Sequence, residues 1–349
     1  MSTTKKKILA VDLGYSSVKC NVKNSYGGVD FERILNVVAK LPEAPDTKDD
    51  DSIFQHLDNY YCLGQNGLKI GRENQIEVND WESLKLVYPI WLSYLAKRYG
   101  GDEGFNAFDK IIIGLSLAFG EEKATELLEY LYDELLFPPD KRDLFIVLPQ
   151  GVAAKAAYQE FGMNLRDTDS AARNETKLKN YIILDIGQYS IDCASVISSN
   201  SSSMMKIGVE NTGTIQISYK IIDYIFQNFN GLRISLKEAM GVAETGTFIR
   251  RRVNYDLSKQ VTQYQKEYIR DVLNLLEDKM SSVLDVTEGI LVIGGGSAIF
   301  EKLKNDPEVI KEIEKHFPME FLKWPLMDAD QFNSRSYLLI GEKLMNGEL

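Results

Sequence analysis

Histidine and cysteine are almost missing from this 349-residue chain. With only His56 and His316, histidine-based catalytic triads and multi-histidine metal sites are nearly excluded. The three cysteines, Cys20, Cys62 and Cys193, are too few and too scattered for a disulfide framework or a zinc site. Cys20 and Cys193 stand within apolar stretches and read as buried structural thiols. Positive charge is also short. The 40 Lys and Arg against 51 Asp and Glu leave a net charge of −11, which argues against general affinity for nucleic acid or an anionic membrane. No uncharged apolar run approaches the roughly 18 residues of a membrane helix. The apolar run of the opening MSTTKKKILAVDLG is broken by Asp12, so it does not read as a signal peptide. A cytoplasmic protein is expected, with no membrane and no direct nucleic-acid partner.

What is present, 44% apolar and 26% charged residues, is ordinary for a soluble fold, and the chain is longer than one hydrophobic core usually supports. Two domains are therefore expected. Apolar runs at 6–13, 16–23 and 29–38 predict a meander of three strands, with NSYGG as one of its turns. Residues 41–51 predict an exposed acidic loop, and 53–80 short strands or turns. Helical spacing over 81–98 and 121–135 alternates with strand-like runs at 109–117 and 143–149, and 150–162 predicts a small-residue helix. The apolar-poor stretch 164–180 predicts the domain boundary. The pattern then restarts with strands at 181–187, 190–198 and 204–210, the last two joined by SNSSS. A helix follows along Ile217, Ile221, Ile225 and Phe229, stopped by Gly231. One or two helices are expected across 233–255, a long helix at 258–285, and strand, triple glycine and helix at 289–300. The second half repeats the first.

Both halves open on an apolar strand ending in Asp-x-Gly: VDLGYSSVK at 11–19 and LDIGQYSIDC at 184–193. A carboxylate leaving a buried strand is costly unless paired, and a divalent cation, bound directly or through its waters, removes that cost at Asp12 or Asp185. Gly14 lets backbone N–H groups approach an anion, and Ser16, Ser17 and Lys19 can donate to phosphate oxygens. One such turn alone is equally a β-turn whose Asp bonds the turn amides. Two of them, from equivalent strands, suit a polyphosphate clamped between domains. Asp192 is either an inward-facing acid of the next strand or a strand-edge hydrogen bonder. Gly294, Gly295 and Gly296 leave a flat surface feeding a helix at Ser297, against which a purine or ribose-phosphate can lie, unless they are turn chemistry only. No Gly-Lys-Ser/Thr follows them and no Gly-x-Gly-x-x-Gly follows the first strand, so the P-loop and Rossmann readings fall away. Gln150, expected to begin a helix, can orient a water toward a γ-phosphate. Lys237 and Glu238 can bond ribose and base, or simply stand on an exposed helix face.

Together and in this order, VDLGYSSVK, PQGVAAKAAY, LDIGQYSIDC, VIGGGSAIF and MDADQFNSRSYLLIGEKL resemble the phosphate, connecting and adenosine motifs of the actin–Hsp70–sugar kinase superfamily. Within it the chain is most similar to bacterial actin-like proteins of the ParM plasmid-segregation type, through its compact length, the long helix before LVIGGG and the terminal QFNSRSYLLIG. The resemblance implies an α/β actin-like fold of two duplicated ribonuclease-H-like domains around a nucleotide cleft. The first spans 1–165, with an insertion at 38–80, and is completed by 328–349. The second spans 166–327, with a helical insertion at 231–260. ATP and Mg2+ are the implied cofactors, with ATP not separated from GTP, and ATP-driven filaments are destabilised by hydrolysis. The implied partners are further copies of the chain and a DNA-binding adaptor on a plasmid centromere.

Carried to these positions, Asp12 and Asp185 serve the metal and, with Gln150, catalysis. Ser16, Ser17, Lys19, Gly187 and Gln188 contact phosphates, and Gly14, Tyr15, Tyr189, Asp192, Gly213, Lys237 and Glu238 are further candidates for binding the nucleotide. Gly294, Gly295, Gly296 and Ser297 meet its adenosine. Gln188-Tyr189 departs from the Gly-rich second turn of the family, and residues 41–80 match no polymer contact that can be carried over. A filament for cell shape or organelle positioning, and a non-polymerising ATPase or small-molecule kinase, are the alternative functions.

Overall fold

The structure is a computed structural model that describes residues 7–23, 28–43, 53–137, 141–162, 178–197, 205–324 and 329–349. Most of NSYGG, the acidic loop from 44, the boundary stretch 164–177 and the SNSSS turn lie outside the described residues.

The chain begins with strands β1 (Ile8–Leu13), β2 (Ser17–Lys23), β3 (Val29–Leu35), β4 (Val38–Leu41), β5 (Ile53–His56) and β6 (Asn59–Leu63). After the single turn α1 (Gly64–Gly67) come β7 (Gln75–Ile76), α2 (Trp81–Gly100), β8 (Lys110–Leu115), α3 (Gly120–Glu134), β9 (Phe145–Pro149) and α4 (Ala154–Phe161). The second half brings β10 (Tyr181–Ile186), β11 (Ser190–Val196), β12 (Lys206–Glu210), α5 (Ile215–Asn228), α6 (Leu236–Thr245), β13 (Thr247–Arg250) and β14 (Val253–Asp256). It ends with α7 (Ser258–Leu284), β15 (Gly289–Ile293), α8 (Ser297–Leu303), α9 (Pro307–Ile313), β16 (Leu322–Lys323) and α10 (Phe332–Asn346). Two compact units result, Met1–Ala157 with Gln331–Leu349, and Tyr158–Asp330.

In the first unit the main sheet runs β3-β2-β1-β8-β9. β1 pairs antiparallel with β2, placing Asp12 opposite Lys19, and parallel with β8, placing Asp12 level with Gly114. Alternate side chains leave β1 on opposite faces. Leu9, Val11 and Leu13 join Ile111, Ile113 and the α2 residues Tyr88, Trp91 and Leu95 in one core. Ile8 and Ala10 join Ile112 with Tyr337 and Leu338 of α10 in another. Burial on both faces is why β1 reads as a continuous apolar run as far as Asp12 rather than an alternating one. The stretch 29–38 is not one strand: it breaks at Asn36, and β4 leaves to form a second sheet of order β5-β6-β4-β7. Helix α2 starts on Asp80, whose carboxylate accepts the Ser83 N–H at 2.8 Å.

The second unit repeats the plan with order β12-β11-β10-β15-β16. β10 pairs antiparallel with β11, Asp185 opposite Asp192, and parallel with β15, Asp185 level with Ile293. Ile182, Leu184 and Ile186 pack with Ile217, Ile221 and Ile225 of α5 and with Val272 and Leu276 of α7. The segment 233–255 is only partly helical, a correction to the helical insertion expected there. Helix α6 stops at Gly246, φ 70°, and a β13–β14 hairpin follows with Arg251 and Arg252 at its tip, φ 47° and 67°. A two-residue loop with both φ positive is usually written Asn-Gly, so arginines there conceal the hairpin from a sequence reading.

Helices α2 and α3 are tied by Glu126, which accepts from Lys85, from Lys123 at 2.6 Å and from the Trp81 indole at 3.2 Å. These donors hold the carboxyl down at about 2. Its folded pKa lies below the ordinary value, so the tie is complete above that ordinary value and is lost as pH falls through the folded one. The melting-temperature gap between wild type and Glu126→Gln should therefore close as pH is lowered from 5 to 2. A gap constant over that window would show that the charge contributes nothing.

Candidate functional site

In the first unit β1 ends at Leu13 and the chain reverses within Gly14-Tyr15-Ser16-Ser17, where Gly14 N–H donates to Ser17 O at 3.0 Å. In the second, Gly187 N–H donates to Ser190 O at 2.9 Å across the equivalent tip. A Cβ on Gly14 would stand 3.4 Å from Ser17 O, and one on Gly187 3.1 Å from Ser190 O. The two turns are thus built alike and packed to similar closeness.

Behind the first turn Asp12 is buried, at 2% exposure. Its Oδ1 accepts from Gln150 Nε2 at 2.6 Å and its Oδ2 from Lys19 Nζ at 3.4 Å. An ammonium and an amide offset the desolvation of the carboxylate. Gln150 is fixed at the end of β8 by its own N–H, which donates to Leu115 O at 2.7 Å. It does not begin a helix: the chain turns through Gly151, φ 71°, and α4 starts at Ala154. Tyr88 donates to Gly114 O at 3.2 Å, and its pKa is raised by burial and then by Asp12 and Tyr15. Gly114 lies flat against the Tyr337 ring, where a Cβ would collide.

Behind the second turn, Asp185 and Asp192 are both buried and face one another across β10 and β11. Where the first unit sets Lys19 opposite its aspartate, the second sets another acid. The Cys193 thiol beside them is pushed up by burial, then by the charges of Asp192 and Asp185. The head of α5 holds this turn. Thr214 N–H donates to Gly187 O at 3.1 Å, Ile215 N–H to Gln188 O at 2.8 Å, and Thr212 and Gly213 N–H to Tyr189 O at 3.1 and 3.3 Å. Gly213 is obligatory, because a Cβ would run into Gln188 O. Gln188 Nε2 lies 2.9 Å from Met240 Sδ on α6, and its Oε1 is buried without a partner among the described residues.

Gly294, φ 79°, bends the chain beside Asp185, and a Cβ there would strike the carboxylate. Gly296 N–H donates to Ile186 O at 2.9 Å and Ser297 Oγ to Gly294 O at 2.8 Å, while Gly295 is exposed. Lys237 and Glu238 occupy the first turn of α6, the helix that touches Gln188. Glu238 is engaged in a capping box: Ser235 N–H donates to its Oε2 at 2.7 Å and its own N–H donates to Ser235 Oγ at 3.2 Å.

Asp12, Gly14 to Ser17, Lys19 and Gln150 therefore come together in one unit. Asp185, Gly187 to Tyr189, Asp192, Gly213 and Gly294 to Ser297 come together in the other. Sequence reasoning missed Asn36, whose side chain reaches Gly14 O, and Thr214 on the second turn. No local signal marked Asn36, one of several polar residues in the stretch 29–38.

Among the described residues no group of three or more His, Cys, Asp or Glu could hold a metal. Magnesium bound chiefly through phosphates and waters needs only one or two carboxylates. The facing Asp185 and Asp192 fit that requirement, whereas Asp12 is already matched by Lys19.

Gly294→Ala combines a left-handed backbone with the Asp185 collision. It should destabilise the protein by roughly 1–3 kcal/mol, read as a lowered urea midpoint. An unchanged midpoint would show that the bend relaxes freely.

Residues 183–305 match the family model described as archaeal actin homologue MreB-like, C-terminal. A search of the curated proteins finds no match. Among solved structures, the chain is similar to a 15-stranded ParM filament from Clostridium botulinum at 15% identity and TM-score 0.72, with 97% of this chain and 99% of that one covered. It is similar to Ta0583, an archaeal actin homologue, at 13% identity and TM-score 0.69, with the same coverage. It is also similar to MreB 5 of Spiroplasma citri bound to AMPPNP, at 15% identity and TM-score 0.64, with 98% and 99% covered. Strand order, the repeated turns and these likenesses agree: the chain has the actin-like fold, the fold of ParM, MreB and the archaeal actin homologues.

Proposed function

We propose that this chain is a Mg2+-dependent ATPase that assembles into filaments and segregates plasmid DNA. The observation that carries the reading is the repetition: each unit presents a glycine-closed hairpin on a buried aspartate, and the second adds a glycine surface beside Asp185. In this reading each turn is a phosphate-binding element of its own unit. Backbone N–H groups and hydroxyls of Tyr15 to Ser17 and Gln188 to Ser190 donate to the nucleotide's phosphate oxygens, and Lys19 adds charge. Magnesium, when bound, neutralises charge on the phosphates. Asp185 and Asp192 would hold it through its waters. Gln150, its nitrogen given to Asp12, turns its amide oxygen to the attacking water, a role that depends on position alone. Adenosine lies against Gly294 to Gly296, with Lys237 and Glu238 at ribose and base.

Two likenesses support the reading: the MreB 5 relative binds AMPPNP and the Clostridium botulinum ParM relative forms a filament. The net charge of −11 suits a polymer that meets DNA through a basic adaptor rather than directly. A cytoplasmic setting accords with the described residues, which include no helix long and apolar enough to cross a membrane.

Right-angle light scattering with Mg2+ and ATP, ADP or GTP, followed by pelleting, tests assembly. Scattering should rise with triphosphate and decay as phosphate is released. Intact ATPase activity without scattering over a wide protein range would instead favour a non-polymerising ATPase or kinase. Asp185→Ala should abolish hydrolysis, and Gln150→Ala should slow it about 100-fold while leaving nucleotide binding in place. Full-rate hydrolysis in both variants would sink the site assignment.

A further inference from the structure

The two turns are alike, yet they are held by different means. In the second unit the carbonyls of Gly187 and Tyr189 are taken by backbone N–H groups of Thr212, Gly213 and Thr214 at the head of α5. In the first unit the corresponding carbonyls, Gly14 O and Ser16 O, are both taken by Asn36. Its backbone N–H donates to Ser16 O at 2.9 Å, and its side-chain Nδ2 donates to Gly14 O at 2.9 Å. Asn36 lies in the break between β3 and β4 and is buried, at 7% exposure.

A third bond fixes which way the amide faces. Asn36 Oδ1 accepts from Trp91 Nε1 at 2.7 Å. An indole N–H can only donate, so the oxygen must face Trp91 and the nitrogen must face Gly14. Trp91 is fully buried in α2 within the core of the first unit. The orientation of the turn is thereby tied to the buried core of that unit.

We propose that Asn36, locked by Trp91, is the positioning residue of the first phosphate turn. A trans peptide is planar, with its C=O and N–H pointing opposite ways. Pinning Gly14 O therefore aims the Tyr15 N–H away from Asn36, and pinning Ser16 O does the same for Ser17 N–H. The turn is set before a ligand arrives, so the ordering cost is not charged to binding. The ligand assumed here rests on the nucleotide reading above; the pinning itself does not.

Asn36→Asp keeps the size and the acceptor for Trp91 but turns an oxygen toward Gly14 O. Asn36→Leu keeps comparable bulk and removes both side-chain bonds. Hydrogen exchange over residues 13–18, measured without nucleotide, should be faster in both variants. Affinity for ATP should fall about tenfold, the worth of one buried hydrogen bond, while affinity for adenosine stays unchanged. Wild-type exchange over 13–18 in the folded variants would overturn the proposal. So would a parallel loss of ATP and adenosine binding, which marks general loosening. If wild type binds neither ligand, the nucleotide reading fails, and the exchange result still decides the role of Asn36.

Discussion

A carboxylate at the end of a strand buried on both faces is the constraint from which much of each unit follows. Such a group, ionised and unpaired, costs several kcal/mol, so its surroundings must be built for it. In the first unit they are a cross-strand lysine and an amide delivered by the chain after β9. In the second they are another acid and a glycine bend so close that no side chain fits beside Asp185. Glycine also lies next to Asp12, at Gly114 on the parallel neighbour. In the second unit the glycine follows the parallel strand β15, and in the first the glycine on the parallel strand makes room for the Tyr337 ring.

The same strand order carrying opposite cross-strand partners is what a duplicated fold allows. Backbone pairing fixes where the aspartate and its turn emerge, while side chains at the paired position are free to differ. Lys19 balances the charge of the first aspartate, and Asp192 makes the neighbourhood of the second more acidic.

How far the sequence was legible follows from how local each signal is. The strands β1, β10 and β15 and the helices α2, α3 and α7 announce themselves through apolar runs and helical spacing. The two Asp-x-Gly turns and the triple glycine were visible for the same reason, since strand, turn and glycine are contiguous. The start of α4 was placed too early: Pro149 and Gly151 belong to a turn that delays the helix until Ala154. The β13–β14 hairpin was hidden because Arg251 and Arg252 occupy backbone conformations that seldom suit their type. Asn36 was out of reach altogether. Its role depends on Gly14 and on Trp91, which lies 55 positions away, and no local pattern encodes a partner at that distance.

Helix α10 belongs to the unit that the chain begins with, and Tyr337 and Leu338 cover the face of the sheet lined by Ile8, Ala10 and Ile112. During synthesis that face emerges early from the ribosome and stays bare until the segment from Gln331 has been made. The other unit is contiguous in sequence and has all its strands available sooner. Domains usually fold in the order they are translated. Here the unit begun first is the one completed last, and in the interval its uncovered apolar face is a surface for chaperones to shield.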